Sequence, residues 1–245
     1  MLVENNAELI RSECQQMIMG RKVFPLRLMF SLLDRMRGGH HGILPILTEL
    51  EQDIFGEGRI VLSNSVNLND GDAVVTFLLD HMKTMSKLIG DAFDCDDRFT
   101  TSRDKAFQRL MNDMDIFGRE SRCPELLANH VDSLLRKKAL SKKYPAEHIQ
   151  ERLVGVLQLL KYVNAKDIFM RHHKLHLTRR LVLNMSNDEE QEERLVESLR
   201  DIGMPADYVN KLTRMFQDIR ISQELNQACR DELKKDMLNI KVRRG

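Results

Sequence analysis

The sequence predicts an all-α protein, and three observations support this fold class. Glycine and proline, which break helices, number only 12 and 5 among 245 residues. Methionine is frequent at 14 residues and tryptophan is absent, a composition that favours helices over strands. Apolar residues also recur three or four positions apart in one segment after another, which is the spacing of one helix face. With 42% hydrophobic residues, the chain has enough material for a core.

Four amphipathic segments occupy the first half of the chain. Pro25 suits the opening turn of one helix, and Gly38 with Gly39 ends it. The apolar residues that share a face in these segments are Leu26, Met29, Phe30, Leu33 and Met36; Ile43, Leu47, Leu50 and Ile54; Val75, Leu78, Met82, Met85 and Ile89; and Phe107, Met111, Met114 and Phe117. Each stripe needs a neighbour to cover it, which predicts a bundle of antiparallel helices.

Short turn signals separate these segments. They are Gly56 with Gly58, and the ranges 67–72, 94–101 and 118–124. The segment RIVLSNSV, from Arg59, is rich in β-branched residues but has no partner strand nearby, so we expect a loop or a helix there.

A second bundle is predicted after Pro124. Its apolar stripes are Leu127, Val131, Leu134 and Leu135; Ile149, Leu153, Leu157 and Leu160; the range 168–183; and Leu195, Leu199 and Ile202. Ser186 and Glu189 form a capping-box pattern at the start of the fourth of these helices. Ser222 is expected to cap a last helix that ends at Met237.

The final residues alternate in polarity, which is typical of a β-strand. We therefore predict one terminal strand formed by Asn239, Ile240, Lys241 and Val242. Since this chain supplies no second strand, the sheet would be incomplete. The prediction is thus two consecutive helical bundles with one incomplete terminal strand.

Charge and cysteine content exclude several classes of protein. The net charge is +1, which gives no global field to attract nucleic acid or an anionic membrane, so neither is expected as a partner. The four cysteines are scattered without a CxxC pair, which fits a reducing compartment. The N-terminal segment carries acids and lacks a long apolar run, so we expect a soluble protein of the cytoplasm and nucleus.

The segment DIFMRHHKLHL contains the strongest candidate metal ligands. His172 and His176 lie four positions apart, beside His173, which is the spacing of two zinc ligands on a helix. A metalloprotease would need Glu directly after the first of them, and Arg171 and Lys174 add positive charge that opposes a cation. We therefore expect these histidines to form hydrogen bonds or to be exposed, and predict no metal site.

No recognised catalytic or cofactor pattern occurs in the sequence. Phosphate-binding GxxxxGK[ST], dinucleotide-binding GxGxxG and nucleophile GxSxG motifs are all missing. Cys123 stands at a helix start, where its pKa could fall, but the sequence places no histidine beside it as a base, so packing is the favoured interpretation. We predict no catalytic residue and no cofactor.

Two charged runs remain. The basic run consists of Arg136, Lys137, Lys138, Lys142 and Lys143. The dipole at a helix C-terminus accounts for two or three of these cations, so the remainder are candidates for binding an acidic partner segment. The acidic run consists of Asp188, Glu189, Glu190, Glu192 and Glu193, and its position at a helix start explains it as structural.

Three ordered blocks of sequence closely resemble the cullin family. They are CPELLANHVDSLLRKKALSKK from Cys123, LLKYVNAKDIFMRHHKLHLTRRLVLN from Leu159 and IGMPADYVNKLTRMFQDIRISQELN from Ile202. The segments LRLMFSLLDR and DDRFTTSRDKAFQRLMND in the first half are also similar to the helices that precede these blocks. The resemblance therefore spans nearly the whole chain.

This resemblance implies a domain order. Residues 1–118 would form the third cullin repeat, 119–238 the four-helix bundle of the C-terminal domain, and 239–245 the truncated start of the α/β domain. It implies that two family sites lie outside this chain. One is the adaptor and substrate-receptor site in the first repeat, and the other is the lysine modified by the ubiquitin-like Nedd protein. It also implies a scaffold that acts by proximity, holding a RING-box protein that recruits the ubiquitin-conjugating enzyme.

The resemblance also assigns roles to two groups of residues. The basic run from Arg136 to Lys143 lies where cullins bind acidic tails of conjugating enzymes, and 239–242 would pair with a strand of the RING-box protein. We therefore expect a non-catalytic scaffold of a cullin-RING ubiquitin ligase, which is not itself an enzyme. The alternative is a truncated helical protein-interaction module that lacks complete ligase assembly.

Overall fold

The structure is a computed structural model that describes residues 7–35, 40–64, 66–68, 70–137 and 145–242. Its helices are α1 (Ala7–Met19), α2 (Val23–Asp34), α3 (His40–Asn64), α4 (Gly71–Phe93), α5 (Asp97–Met111), α6 (Met114–Phe117), α7 (Arg122–Leu135), α8 (Ala146–Leu160), α9 (Lys166–Val182), α10 (Glu189–Asp201) and α11 (Ala206–Val242). Within these ranges the one strand-like pairing is an isolated bridge between Arg136 and Ser186. The predicted all-α fold is confirmed.

The chain divides into two compact units. The first unit contains Met1–His130 and Val154–Phe169, and the second contains Val131–Leu153 and Met170–Gly245. The domain boundary predicted near residue 118 stays a prediction. None of the helices in the described ranges combines the length and the apolar character needed to cross a membrane.

Packed aromatic rings join three helices of the first unit. Phe93, at the end of α4, stacks on Phe99 of α5 with 3.9 Å between ring centroids. Phe30 of α2 meets both rings edge-on, at 5.7 and 5.3 Å. Such aromatic pairs contribute about 0.5–1.5 kcal/mol each beyond the burial of their area. The cluster therefore fixes α2 against the turn between α4 and α5.

Aspartates define the turns on either side of α4. The Asp70 side chain accepts hydrogen bonds from the backbone N–H groups of Asp72 and Ala73, which caps the start of α4. Asp94 ends α4 in the left-handed conformation, with φ of 50°, and Asp96 caps α5 by accepting from the Arg98 N–H at 2.8 Å. The turn predicted at 94–101 is confirmed for residues 94–96, and the turn predicted at 67–72 for the described residues before Gly71, because α5 begins at Asp97 and α4 at Gly71.

The turn predicted at Gly56 and Gly58 is wrong, because α3 runs without a break to Asn64. The glycine at position 58 serves a close approach between helices instead of a turn. A Cβ atom there would lie 2.5 Å from Cδ2 of Leu110, on α5, whereas a Cβ at Gly56 would meet nothing within 4 Å. The segment that begins at Arg59 is accordingly helical, which is one of its two expected states.

Tyr162 ties the turn after α8 to α5 within the first unit. Its hydroxyl donates to a carboxylate oxygen of Asp104 at 2.7 Å, and its carbonyl oxygen accepts from the Asn112 side chain at 2.8 Å. The side-chain oxygen of Asn112 in turn accepts from the Asn164 N–H. Burial, and then the Asp104 hydrogen bond and charge, raise the pKa of Tyr162 to about 12.

The second unit contains a hairpin of α10 and α11. The side chains buried on the two helices are Leu195, Val196 and Leu199, and Val209, Leu212 and Phe216. An ion pair between Arg220 and Glu193 closes the edge of this contact. The hairpin therefore has the amphipathic packing that the sequence predicts for these segments.

The structure differs from two predictions about the C-terminal region. Ser222 lies inside α11 and does not begin a helix, since no glycine or proline interrupts the chain between residues 206 and 242. Asn239, Ile240, Lys241 and Val242 continue the same helix and do not form a strand. A lone strand would leave its backbone hydrogen-bonding groups unpaired, whereas a helix satisfies most of them within the segment.

Candidate functional site

The basic run predicted to bind a partner begins where α7 ends. The described residues include Arg136 and Lys137, whereas Lys138, Lys142 and Lys143 lie outside the described ranges. Two backbone hydrogen bonds pair this part of the chain with the turn after α9. They run from Lys137 N to the Met185 carbonyl oxygen at 2.8 Å and from Asn187 N to the Leu135 carbonyl oxygen at 2.9 Å, and together they form the Arg136–Ser186 bridge.

The two described cations of the run have different surroundings. Arg136 is half-buried, and its Nη2 lies 2.7 Å from Oδ2 of Asp132, so its charge is neutralised within the second unit. Lys137 is exposed, and its Nζ donates weak hydrogen bonds to the carbonyl oxygen and side-chain oxygen of Asn184, at 3.3 and 3.4 Å. Lys137 is therefore the cation whose charge remains available to a partner.

A buried ionic network lies beneath this surface. Arg180 of α9 is fully buried, and its Nη1 lies 2.6 Å from Oδ1 of Asp132. Its Nε and Nη2 donate to the two carboxylate oxygens of Glu192, at 2.6 and 2.7 Å, which is a bidentate pair. The Ser186 hydroxyl donates to the same Glu192 at 2.8 Å.

The network is balanced in charge. Burial alone would lower the pKa of Arg180, but the hydrogen bonds and charges of Glu192 and then Asp132 outweigh it, so that pKa is raised. Arg180 and Arg136 supply two positive charges against the two negative charges of Asp132 and Glu192. Because no net charge is buried, the network holds α7, α9 and the start of α10 together within the second unit.

The sequence did not predict this network. The sequence pattern places Glu192 in a run explained by the helix dipole, and Ser186 in a capping box. The cap is instead Asp188, whose side chain accepts from the Glu190 N–H at 2.9 Å. One signal was present: Arg180 stands three positions after Leu177, on the buried face of α9, and an arginine on such a face requires a carboxylate.

The three histidines of α9 occupy different environments. His173 is buried, and its Nδ1 lies 2.8 Å from the hydroxyl oxygen of Tyr208, on α11. Burial, and then the charges of Arg180 and His176, lower the pKa of His173 to about 3. His172 and His176 have ring centroids 6.4 Å apart. The predicted hydrogen bonding is thus confirmed for His173.

The chemistry of these side chains does not assemble a metal site in the described part of the chain. His176 Nδ1 lies 3.7 Å from Oδ2 of Asp132, which the two arginines already bind. No group of three or more histidine, cysteine, aspartate or glutamate side chains with a metal-binding arrangement occurs among the described residues. Cys123 is buried, and burial raises the pKa of its thiol to about 12, which agrees with the predicted packing role.

The fold defines an all-α protein of the helical-bundle class. Its candidate site is an exposed cation at the end of a helix, above a buried ionic network. The chain belongs to the cullin family, since residues 1–226 match the family described as the cullin alpha solenoid domain.

Comparison with curated relatives agrees with this assignment. The chain is 41% identical over 266 aligned residues to Cullin-5 of Caenorhabditis elegans, covering 100% of this chain and 34% of that protein. It is 30% identical to Cullin-1 of Schizosaccharomyces pombe, covering 93% of this chain and 30% of the relative. Identity to Cullin-1 of Dictyostelium discoideum is 32%, over 91% of this chain and 29% of the relative. The chain thus spans about a third of the length of these relatives.

Proposed function

We propose that this chain is a non-catalytic scaffold segment of a cullin-RING ubiquitin ligase, acting in ubiquitin-dependent protein degradation in the cytoplasm and nucleus. Membership of the cullin family over residues 1–226 supports the proposal. In this role the helices position other proteins: a RING-box protein, a ubiquitin-conjugating enzyme and, through other parts of a complete cullin, an adaptor with its substrate receptor. Such a scaffold accelerates ubiquitin transfer by proximity and orientation of the partners.

One observation carries the partner-binding part of this proposal. Lys137 is exposed at the end of α7, and backbone pairing with Met185 fixes its position. The lysines that follow it in the sequence extend the same positive charge. An acidic segment of a conjugating enzyme is the partner whose charge complements this run, and the main benefit is a faster rate of association.

Binding of an acidic peptide tests the role of the basic run. A fluorescent peptide of ten alternating Asp and Glu residues is titrated with the full chain, and anisotropy is measured at 50 and 200 mM NaCl. Lys137→Glu should weaken binding by about five- to tenfold at low salt, because it replaces an attractive charge with a repulsive one. Changing Lys138, Lys142 and Lys143 to Glu as well should abolish binding. Higher salt should weaken binding to the unmodified chain.

Lys211→Glu is the control for net charge, because Lys211 is exposed in the first turns of α11, where it pairs with Asp207, and undergoes the same change of charge. It should leave peptide affinity unchanged. Equal loss for Lys137→Glu and Lys211→Glu would show that the peptide senses only net charge, and would overturn a specific basic site.

A second arm of the experiment addresses the scaffold role. The immobilised chain is incubated with a purified RING-box protein, with and without residues 239–245. Binding that needs 239–242 would support the predicted strand pairing, which requires the end of α11 to leave its helical state. If the RING-box protein does not bind but the acidic peptide does, the chain behaves as a helical interaction module, which is the alternative function.

A further inference from the structure

Two apolar side chains are exposed next to Lys137. Val182 ends α9, and Leu183 follows it, with 66% and 62% of their surfaces exposed. Both precede Asn184, whose oxygens accept the hydrogen bonds of Lys137 Nζ. The exposed apolar pair and the exposed cation therefore belong to the same small area of the second unit.

The turn that carries this pair has a defined conformation. Asn184 adopts the left-handed region, with φ of 49°, which reverses the chain after α9. Its N–H donates to the Leu181 carbonyl oxygen at 3.2 Å, and the next N–H, of Met185, donates to the Arg180 carbonyl oxygen at 2.8 Å. Since Met185 also accepts from Lys137 N, the turn is tied to both α9 and the basic run.

Four nearby acidic side chains have partners of their own. Asp132 and Glu192 bind the buried Arg180, and Glu190 pairs with Arg194 at 2.6 Å. Asp188 accepts a hydrogen bond from its own helix N-terminus. Among the described residues, Lys137 Nζ bonds to the oxygens of an amide group and a carbonyl, so its charge is not cancelled by a carboxylate.

We propose that Lys137, Arg179, Val182 and Leu183 form one docking surface for an acidic peptide segment that also carries an apolar side chain. Arg179 is exposed in the last turn of α9 and adds a second cation. Carboxylates of the segment bind the two cations, and its apolar side chain covers Val182 and Leu183. The inference rests on the proposed function and deepens it, because an apolar anchor selects among segments of equal charge.

Two peptides of equal length and charge test this surface. Both are fluorescent and acidic; one carries two serines at its centre, and the other carries two leucines at the same positions. The leucine peptide should bind the full chain about tenfold more tightly, since it removes apolar surface from water. The double change Val182→Ser with Leu183→Ser should abolish this difference, while the affinity for the serine peptide stays the same.

The double change Ile221→Ser with Leu225→Ser is the matched control, because it removes two exposed apolar side chains from α11. It should preserve the tenfold preference, and circular dichroism should show that both variants are folded. Equal affinity of the two peptides for the unmodified chain would overturn the inference. In that case the proposed basic site would still stand if both peptides bound Lys137→Glu more weakly than the unmodified chain. If neither peptide bound the unmodified chain, the basic site and the inference would both fail.

Discussion

Arg180 shows how a full charge is kept inside the second unit. Its side chain is fully buried, and every acceptor that it binds belongs to a carboxylate, of Asp132 or of Glu192. Taking these ions out of water is costly, and their mutual attraction offsets the cost only while all partners are present. Removing one partner should therefore lower the free energy of unfolding by far more than the net contribution of any single hydrogen bond.

Arg180→Met is expected to lower the free energy of unfolding by about 3–5 kcal/mol, because it leaves the buried Glu192 carboxylate without a cation and leaves Asp132 paired with Arg136 alone. Urea unfolding followed by circular dichroism at 222 nm measures the change. Arg194→Met is the control, since it breaks an exposed pair with Glu190 that contributes at most about 1 kcal/mol. If both variants had the same unfolding midpoint, the buried network would not stabilise the fold.

For individual residues, the sequence shows which side chains are charged but not which groups they pair with. Asp132 and Glu192 lie 48 and 12 positions from Arg180, and only the packing of α7, α9 and α10 brings them together. The sequence also does not show that Lys137 is exposed whereas Arg136 is neutralised by a carboxylate. Adjacent cations look equivalent until the backbone direction at the end of α7 is known.

Helix α3 shows that the same residue type can have two roles two positions apart. Gly58 lies where Leu110 of α5 comes closest, and Gly56 faces open space. In a sequence, both appear as turn signals because glycine is the least favourable residue in a helix apart from proline. Distinguishing them required the position of α5.

Gly56→Ala should stabilise the protein by about 0.5–1 kcal/mol, since alanine favours the helix and meets no neighbour. Gly58→Ala makes the same gain in helix propensity but overlaps the buried Leu110 side chain. It should therefore be less stable than Gly56→Ala by about 1–3 kcal/mol. Thermal unfolding of the two variants measures this difference, and equal midpoints would show that α3 and α5 do not approach closely at Gly58.

Most helices were predictable from apolar spacing, and two failures were predicted helix ends that lie inside longer helices, at Gly56 with Gly58 in α3 and at Ser222 in α11. The two elements expected after residue 206 are one helix, because local signals such as Ser222 can cap a helix only where the chain already turns. The alternating pattern of 239–242 fits a strand, but a strand depends on a partner, so the state of this segment depends on what it contacts.

The stability of the whole protein should depend on pH through its buried histidines. Burial lowers the pKa of His173 to about 3. Burial likewise lowers the pKa of His81, whose Nε2–H donates to the Ile54 carbonyl oxygen at 3.0 Å. In the unfolded chain both would titrate near the ordinary value of 6.5. The unfolded state therefore binds more protons in mildly acidic solution, and stability falls as the pH drops below about 6.5.

The free energy of unfolding should fall between pH 7.5 and pH 5 by up to about 1.4 kcal/mol per pH unit for each such histidine. Urea unfolding at several pH values measures this slope. His173→Gln should reduce the slope whatever its effect on stability at pH 7.5. An unchanged slope in His173→Gln would mean that burial does not lower the pKa of His173 in the folded protein.

The hydrogen bonds of Tyr162 and Tyr208 give each compact unit its own optical reporter. The chain has three tyrosines and no tryptophan, so tyrosine dominates its near-ultraviolet absorption and emission. Tyr162 bonds to Asp104 in the first unit, and Tyr208 bonds to His173 in the second. In a chain that carries Tyr144→Phe, replacing either remaining tyrosine with phenylalanine leaves a single chromophore. The melting of one unit could then be followed without an attached dye.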